Sequence, residues 1–264
     1  RPVRVIPGVK TPLADPRAGA IDLVILREST EGLFWSRGRG EVRNDAEARD
    51  TLVITRATTA WLSDFAFALA RSRRARGGKN LVTCVDKANV FTSFAFFRRV
   101  FDERAAAHPD VRAAHHYIDA MALDLVRRPW DFDVMLTENM FGDIISDLGA
   151  ALMGGMGYAP SADIGEAHAV FQPCHGSAPD IAGQGIANPT AMILSGAMML
   201  EWLGERHGEP RALRAGGLIR RAVDAAFADG RLVTPEHGGT AGTRAVAHAV
   251  GAAMAALDPA AVAA

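Results

Sequence analysis

The chain has 264 residues, 49% of them hydrophobic and 22% charged, with a formal net charge of −1. That is enough apolar material for one large packed core or two smaller ones, and too much for a disordered or fibrous chain. Basic and acidic residues are interspersed, so no broad basic surface exists to displace counterions from a nucleic-acid backbone, and the expected ligand is a small molecule. Cys84 and Cys174 lack the spacing of a zinc site or a disulfide framework, which fits a reducing cytoplasm. No apolar stretch approaches the roughly 20 residues that cross a bilayer, and the N-terminus has no signal-peptide pattern, so no membrane partner is expected.

Apolar runs of strand length recur along the first half of the chain. They are IDLVIL at Ile21 to Leu26, LVTCV at Leu81 to Val85 and FDVMLT at Phe132 to Thr137. Amphipathic stretches from about Arg56 to Arg73, Thr92 to Ala107 and Asp119 to Arg128 alternate with them, the pattern of an α/β fold with a largely parallel sheet. Trp35 to Thr55 mixes glycine, charge and a β-prone run, and reads as an arm that pairs with another subunit. Beyond Gly154 come Gly- and Pro-rich loops, then helices near Thr190 to Glu205, Leu213 to Ala228 and Thr243 to Leu257. A domain boundary near Met153 follows, with an Ala-rich, frayed tail after Asp258.

The strongest local constellation is TENMFGDIISDLGAAL, Thr137 to Leu152, where a strand gives way to a helix. Asp143 and Asp147 lie four residues apart on one face of it. Their mutual repulsion, among Ile144, Ile145 and Leu148, is relieved by a hard divalent cation such as Mg²⁺ or Mn²⁺, which takes oxygen ligands and completes its shell with water and substrate. Asp119, in YIDAMALDLV, is the candidate third ligand. Asp124 reads as a surface residue, and His115 and His116 as ordinary polar positions. Equally compatible with the spacing alone, these aspartates cap helices or face water.

Lys87 ends one strand, where catalytic groups of open α/β sheets gather, and partial burial there suits it to proton transfer. The competing reading is an exposed turn lysine. Arg27 ends another strand and is placed to fork onto a substrate carboxylate; alternatively it pairs with Glu28 or Glu31. CHGSAPDIAGQGIANPTA, Cys174 to Ala191, packs small residues around His175 and Asp180 ahead of a helix with Pro189 in its first turn. Small residues let backbone amides approach a ligand, so this is a nucleotide-loop candidate, although a purely structural loop fits equally and no GxGxxG fingerprint follows a strand.

Taken together and in order, RESTEGLF at Arg27 to Phe34, VDKANV at Val85 to Val90, NMFGDIISD at Asn139 to Asp147, HGSAPDIAGQGIANPTA at His175 to Ala191 and TPEHGGTAGT at Thr234 to Thr243 resemble the β-decarboxylating dehydrogenases. That family includes isopropylmalate, isocitrate, homoisocitrate and tartrate dehydrogenases. The resemblance runs from Arg1 to about Ala247. It implies an isopropylmalate-dehydrogenase-like two-domain fold, with residues 1–153 forming a small domain for dimerisation and for metal and substrate, carrying the arm near 35–55. Residues 154–264 would then form the C-terminal part of a large NAD-binding domain, incomplete in this chain because an upstream segment is lacking. A homodimer with shared active sites is implied. Asp143 and Asp147 match metal ligands of one subunit, and Asp119 the ligand from its partner. Lys87 matches the partner-derived lysine that assists proton removal, and Asn89 an asparagine near the nicotinamide. Arg1 and Arg27 match substrate-carboxylate arginines. The stretch His175, Gly176, Ser177, Ala178, Pro179, Asp180 and Ile181, with Asn188, matches the adenosine-binding loop, and Asp180 followed by Ile181 resembles NAD-preferring members, since a carboxylate accepts from a ribose diol but repels a 2′-phosphate.

The implied reaction is NAD-dependent oxidative decarboxylation of a 3-substituted malate-type 2-hydroxy acid. An isocitrate or tartrate/malate substrate stays open beside isopropylmalate. One position departs from the family pattern: Phe34 stands where a tyrosine protonates the enolate, and a phenyl ring cannot donate a proton. A noncatalytic regulatory homologue is therefore the alternative to an active enzyme.

Overall fold

A computed structural model describes residues 1–258; the tail after Asp258 lies outside them. In chain order the elements are β1 (Pro2–Arg4), β2 (Asp22–Arg27), β3 (Glu41–Arg43), β4 (Glu47–Arg49), α1 (Arg56–Arg74), β5 (Leu81–Asp86), α2 (Thr92–Ala106), β6 (Arg112–Tyr117), α3 (Ile118–Arg127), β7 (Val134–Thr137), α4 (Asn139–Leu152), β8 (Pro160–Ile164), β9 (Ala169–Pro173), α5 (Thr190–His207), α6 (Pro210–Phe227) and α7 (Thr243–Leu257). The fold is mixed α/β with a mostly parallel central sheet. The chain divides into two compact units, Asp22–Leu148 and Arg1–Ile21 with Gly149–Ala264.

In the unit Asp22–Leu148 the sheet order is β2-β7-β5-β6. Its pairs are parallel, with Arg27 opposite Thr137, Val85 opposite Thr137 and Asp86 opposite Tyr117. These ends align, so every loop leaving the sheet's carboxyl edge starts at one level, the usual place for a binding site in open α/β sheets. Helix α1 buries Leu62, Ala66, Phe67 and Ala70, the i, i+4, i+5, i+8 stripe of an amphipathic helix. They pack with Phe97 and Phe101 of α2 against Val82, Cys84, Val134 and Leu136 of the sheet. Thr55 caps α1, accepting from the Thr58 N–H. Arg73 closes the other end on the fully buried Asp133 at 2.6 Å.

The 35–55 segment forms the antiparallel hairpin β3–β4, exposed throughout. Its root is fastened by reciprocal Gly32–Val53 backbone bonds and by the Ser36 hydroxyl, which donates to the Thr51 carbonyl at 2.7 Å and accepts from the Thr51 N–H.

Asp124 corrects the surface reading: it is 6% exposed, accepting from Arg128 at 2.7 Å and bonded to His116 at 2.9 Å. His116 therefore also has a specific partner, as does His115, which bonds Asp102 at 2.6 Å. Arg128 and then His116 hold the Asp124 carboxyl down at about 2. The folded value lies below the ordinary 3.8, so this stabilisation is complete above that value and fades as pH falls toward 2. Asp124→Asn should cost about 1–3 kcal/mol at neutral pH. Urea midpoints of the variant and the parent protein should converge as pH drops from 5 toward 3, and a gap independent of pH would disprove the linkage.

The unit formed by Arg1–Ile21 and Gly149–Ala264 includes the first residues of the chain as well, and the break falls at Leu148–Gly149, inside α4. Packing explains why the first residues belong here. Arg4 donates twice to Asp224 of α6, at 2.7 and 3.1 Å, and a Cβ at Gly8 would lie 1.8 Å from the Phe227 carbonyl oxygen. Helices α5, α6 and α7 pack in series, and β8 and β9 form an antiparallel hairpin against α5 where the sequence suggested only loops. No helix among the described residues is long and apolar enough to cross a membrane.

Candidate active site

The carboxyl edge of the parallel sheet carries Arg27 at the end of β2, Lys87 just past β5, Asp119 in the first turn of α3 and Asp143 in α4. Helix α4 can lie close to β2 because residue 142 is glycine: a Cβ there would sit 2.6 Å from Arg27 Cβ. This close approach brings Asp143 onto Arg27. The guanidinium donates through Nε to Asn139 Oδ1 at 2.9 Å and through Nη1 to Asp143, so Arg27 pairs with α4 instead of with Glu28 or Glu31. The same guanidinium stands 5.4 Å from the centre of the half-exposed Phe34 ring.

The RESTEGLF turn is built by buried carboxylates. Glu28 accepts from the N–H groups of Thr30 and Glu31 at 2.6 and 2.7 Å. Glu138, 2% exposed, accepts from the N–H groups of Leu33, Met140 and Phe141, fastening the turn to the start of α4. Burial pushes the Glu138 carboxyl up, partly opposed by those N–H donors. Nothing in the sequence marked Glu138; the Gly32 that makes room for it was the available signal.

Lys87 and Asp119 form a second cluster. The ammonium donates to Asp119 Oδ1 at 2.5 Å and lies 6.0 Å from the Tyr117 ring. Lys87 depresses the Asp119 carboxyl below its usual range. The strand end carrying Lys87 is held by the fully buried Asp86, which accepts from the Ala88 N–H and from both Arg98 Nε and Nη2 at 2.8 Å. Asn89 is exposed beside it.

Asp147 lies one turn beyond Asp143 and is exposed. Of the apolar neighbours expected around this pair, Ile145 is buried but Ile144 is 60% exposed. Among the described residues, no group of three or more His, Cys, Asp or Glu side chains converges closely enough within one chain to hold a metal ion. Arg27 and Asp143 thus form one charged pair, with Asp147 a turn further along α4, and Lys87 and Asp119 form another.

In the other unit, the loop after β9 keeps Gly176, Ser177, Pro179 and Asp180 exposed. His175 Nδ1 bonds the Gly176 carbonyl at 2.7 Å, Ala178 adopts a left-handed conformation, and Pro179–Ile181 form a 3-10 turn. Asn188 Oδ1 accepts from the Thr190 N–H at 3.0 Å, capping α5, with Pro189 before rather than inside its first turn. Arg1, partly buried, precedes β1.

A parallel α/β unit whose carboxyl edge bears two aspartates, an arginine and a lysine has the layout of an open-sheet binding site for a small polar ligand. Residues 1–251 match the family model described as isocitrate/isopropylmalate dehydrogenase. The chain is 43% identical over 251 residues to the 3-isopropylmalate/3-methylmalate dehydrogenase of Methanocaldococcus jannaschii, covering 95% of this chain and 71% of that one. It is also 43% identical over 227 residues to the homoisocitrate dehydrogenase of the same organism, covering 86% and 61%. The crystal structure of isocitrate dehydrogenase from Methylococcus capsulatus superposes with a TM-score of 0.81 at 40% identity, covering 96% of this chain and 71% of that one. The chain belongs to the isocitrate/isopropylmalate dehydrogenase family, a group of decarboxylating oxidoreductases.

Proposed function

We propose that this protein catalyses NAD-dependent oxidative decarboxylation of a 3-substituted malate-type 2-hydroxy acid in the cytoplasm, as an isopropylmalate-dehydrogenase-like homodimer with shared active sites. The observation that carries this reading is the division of the site residues into two clusters on one chain. Asp143 and Asp147 supply two oxygen ligands for Mg²⁺ or Mn²⁺, Asp119 of the partner subunit supplies a third, and water and substrate fill the rest of the shell. The donors are all carboxylate oxygens, the chemistry such ions select. Exposed apolar side chains on the helices that carry these aspartates, Leu123 and Val126 on α3 and Ile144 on α4, supply the surface for a second copy.

When bound, the cation supplies Lewis-acid polarisation of the substrate's hydroxyl and, after oxidation, carbonyl oxygen. Arg27 and Arg1 bind the substrate carboxylates, Arg27 bidentately. Lys87, paired with Asp119, assists removal of the substrate's hydroxyl proton. Asn89 lies at the nicotinamide end. The loop from His175 to Asn188 holds the adenosine, with Asp180 accepting from the ribose diol and disfavouring a 2′-phosphate. Phe34 has no proton to give, so the final protonation falls to another group or to water.

The sequence alternative, a noncatalytic regulatory homologue, rests on Phe34 alone. The test is NADH release with Mn²⁺ and each of isopropylmalate, isocitrate, tartrate and malate, comparing the parent protein with Phe34→Tyr. Turnover of one acid by the parent, raised about tenfold or more in Phe34→Tyr, is expected, since a positioned general acid is worth about 10²–10⁴. No NADH from either protein with any acid would establish the regulatory reading.

A further inference from the structure

We propose that Glu236 and Thr243 are positioning residues that hold the far half of the nucleotide loop, residues 185–188, in its binding conformation from outside. This rests on the reading of that loop as the cofactor's nucleoside site.

Both residues lie in the segment TPEHGGTAGT, to which the proposed chemistry assigns nothing. The Asn188 amide is fixed from two sides. Its oxygen accepts from the N–H and hydroxyl of Thr190 at 3.0 and 2.7 Å, and its Nδ2 donates to Glu236 Oε1 at 2.6 Å. The Glu236 carboxylate occupies a notch that exists because residues 155 and 157 are glycines; Cβ atoms there would lie 2.9 and 2.7 Å from its oxygens. The turn carrying Glu236 is itself held: His237 Nε2 bonds the Gly154 carbonyl at 2.6 Å, and its ring stacks on Tyr158.

Thr243, at the start of α7, fastens the residues just before Asn188. Its N–H donates to the Gly185 carbonyl at 2.8 Å and its hydroxyl to the Ala187 carbonyl at 2.5 Å. The approach requires glycine at 242, where a Cβ would meet the Gly185 oxygen at 2.4 Å. The Gly185 and Ala187 carbonyls are thus tied to α7, whereas the N–H groups of Ile186, Ala187 and Asn188 have no backbone acceptor among the described residues. A backbone held on one side through the Gly185 and Ala187 carbonyls, with its N–H groups turned to no backbone acceptor, is preorganised to donate to the acceptor atoms of a nucleoside. Preorganisation lowers the ordering cost that binding otherwise carries.

The test uses calorimetric NAD⁺ binding, with KM and kcat as the second readout, on Thr243→Val, Thr243→Ser, Glu236→Ala and Glu236→Gln. Val is isosteric but lacks the hydroxyl, whereas Ser keeps it; Gln keeps an oxygen for Asn188, whereas Ala does not. Thr243→Val and Glu236→Ala should each weaken NAD⁺ binding about tenfold, the loss of one well-placed hydrogen bond. KM for the hydroxy acid should stay within about twofold, and Ser and Gln should restore most of the affinity. A merely structural role would lower thermal stability without separating the two KM values. NAD⁺ affinity unchanged in Val and Ala, or lost equally in Ser and Gln, overturns the positioning roles while leaving the cofactor reading intact. Absence of NAD⁺ binding to the unsubstituted protein overturns the cofactor reading and the positioning roles with it.

Discussion

Asp143→Asn should abolish metal-dependent turnover, lowering NADH release by about 10³-fold, because the polarisation supplied by a bound divalent ion is worth several kcal/mol of transition-state stabilisation. Asparagine preserves the shape of the side chain and its place on α4, but removes the charge that opposes both the cation and Arg27. The physical argument is one of alternatives. An anionic oxygen at residue 143 needs a cationic partner, and the chain offers it Arg27. A divalent ion would replace that single charge with two and release Arg27 for a substrate carboxylate. Mn²⁺ affinity, read by calorimetry, should fall in parallel with the rate. Retention of full Mn²⁺ affinity in Asp143→Asn would remove Asp143 from the ligand set. Circular dichroism separates this outcome from loss of the fold.

The second large effect is on stability. Gly32→Ala should destabilise the protein by about 3–5 kcal/mol, for two reasons that act together. Gly32 has φ 73° and ψ −148°, a conformation open in practice only to glycine. In addition, a Cβ there would lie 2.0 Å from Glu138 Oε1. That carboxylate cannot swing away, since it is buried and holds the Leu33, Met140 and Phe141 N–H groups. Displacing it would leave those donors unpaired and loosen the turn that carries Phe34, together with the start of α4. Thermal denaturation should show a drop of roughly 10 °C. A change within about 2 °C would mean that the turn relaxes without cost and that Glu138 does not clamp it.

The central strands were legible because each is buried on both faces and so reads as an unbroken apolar run, as in Leu81 to Val85. Helices α1 and α2 were legible through their apolar stripes. The hairpin β8–β9 was not: PSADI and AVFQP alternate weakly and sit among glycines, and their strand character comes from pairing with each other and packing on α5. Asp124 was misread because its burial depends on His116 of β6 meeting α3, in addition to Arg128 four residues on.

The family resemblance pointed to a dehydrogenase without coordinates, carried by five ordered motifs, several of them next to a strand end or helix start. Each motif is a run of chain neighbours, as Asp143 and Asp147 or His175 and Asp180 are, so the sequence can carry it. Which groups meet across long separations was decided by tertiary packing. Arg27 reaches Asp143 through the absence of a side chain at Gly142, Lys87 reaches Asp119 because β5 and β6 end in register, and Glu236 reaches Asn188 through a notch made by two glycines. Residues 1–21 belong to the C-terminal unit because Arg4 pairs with Asp224. A sequence lists its side chains one by one, whereas a contact between distant residues depends on the free energy of burying many of them at once.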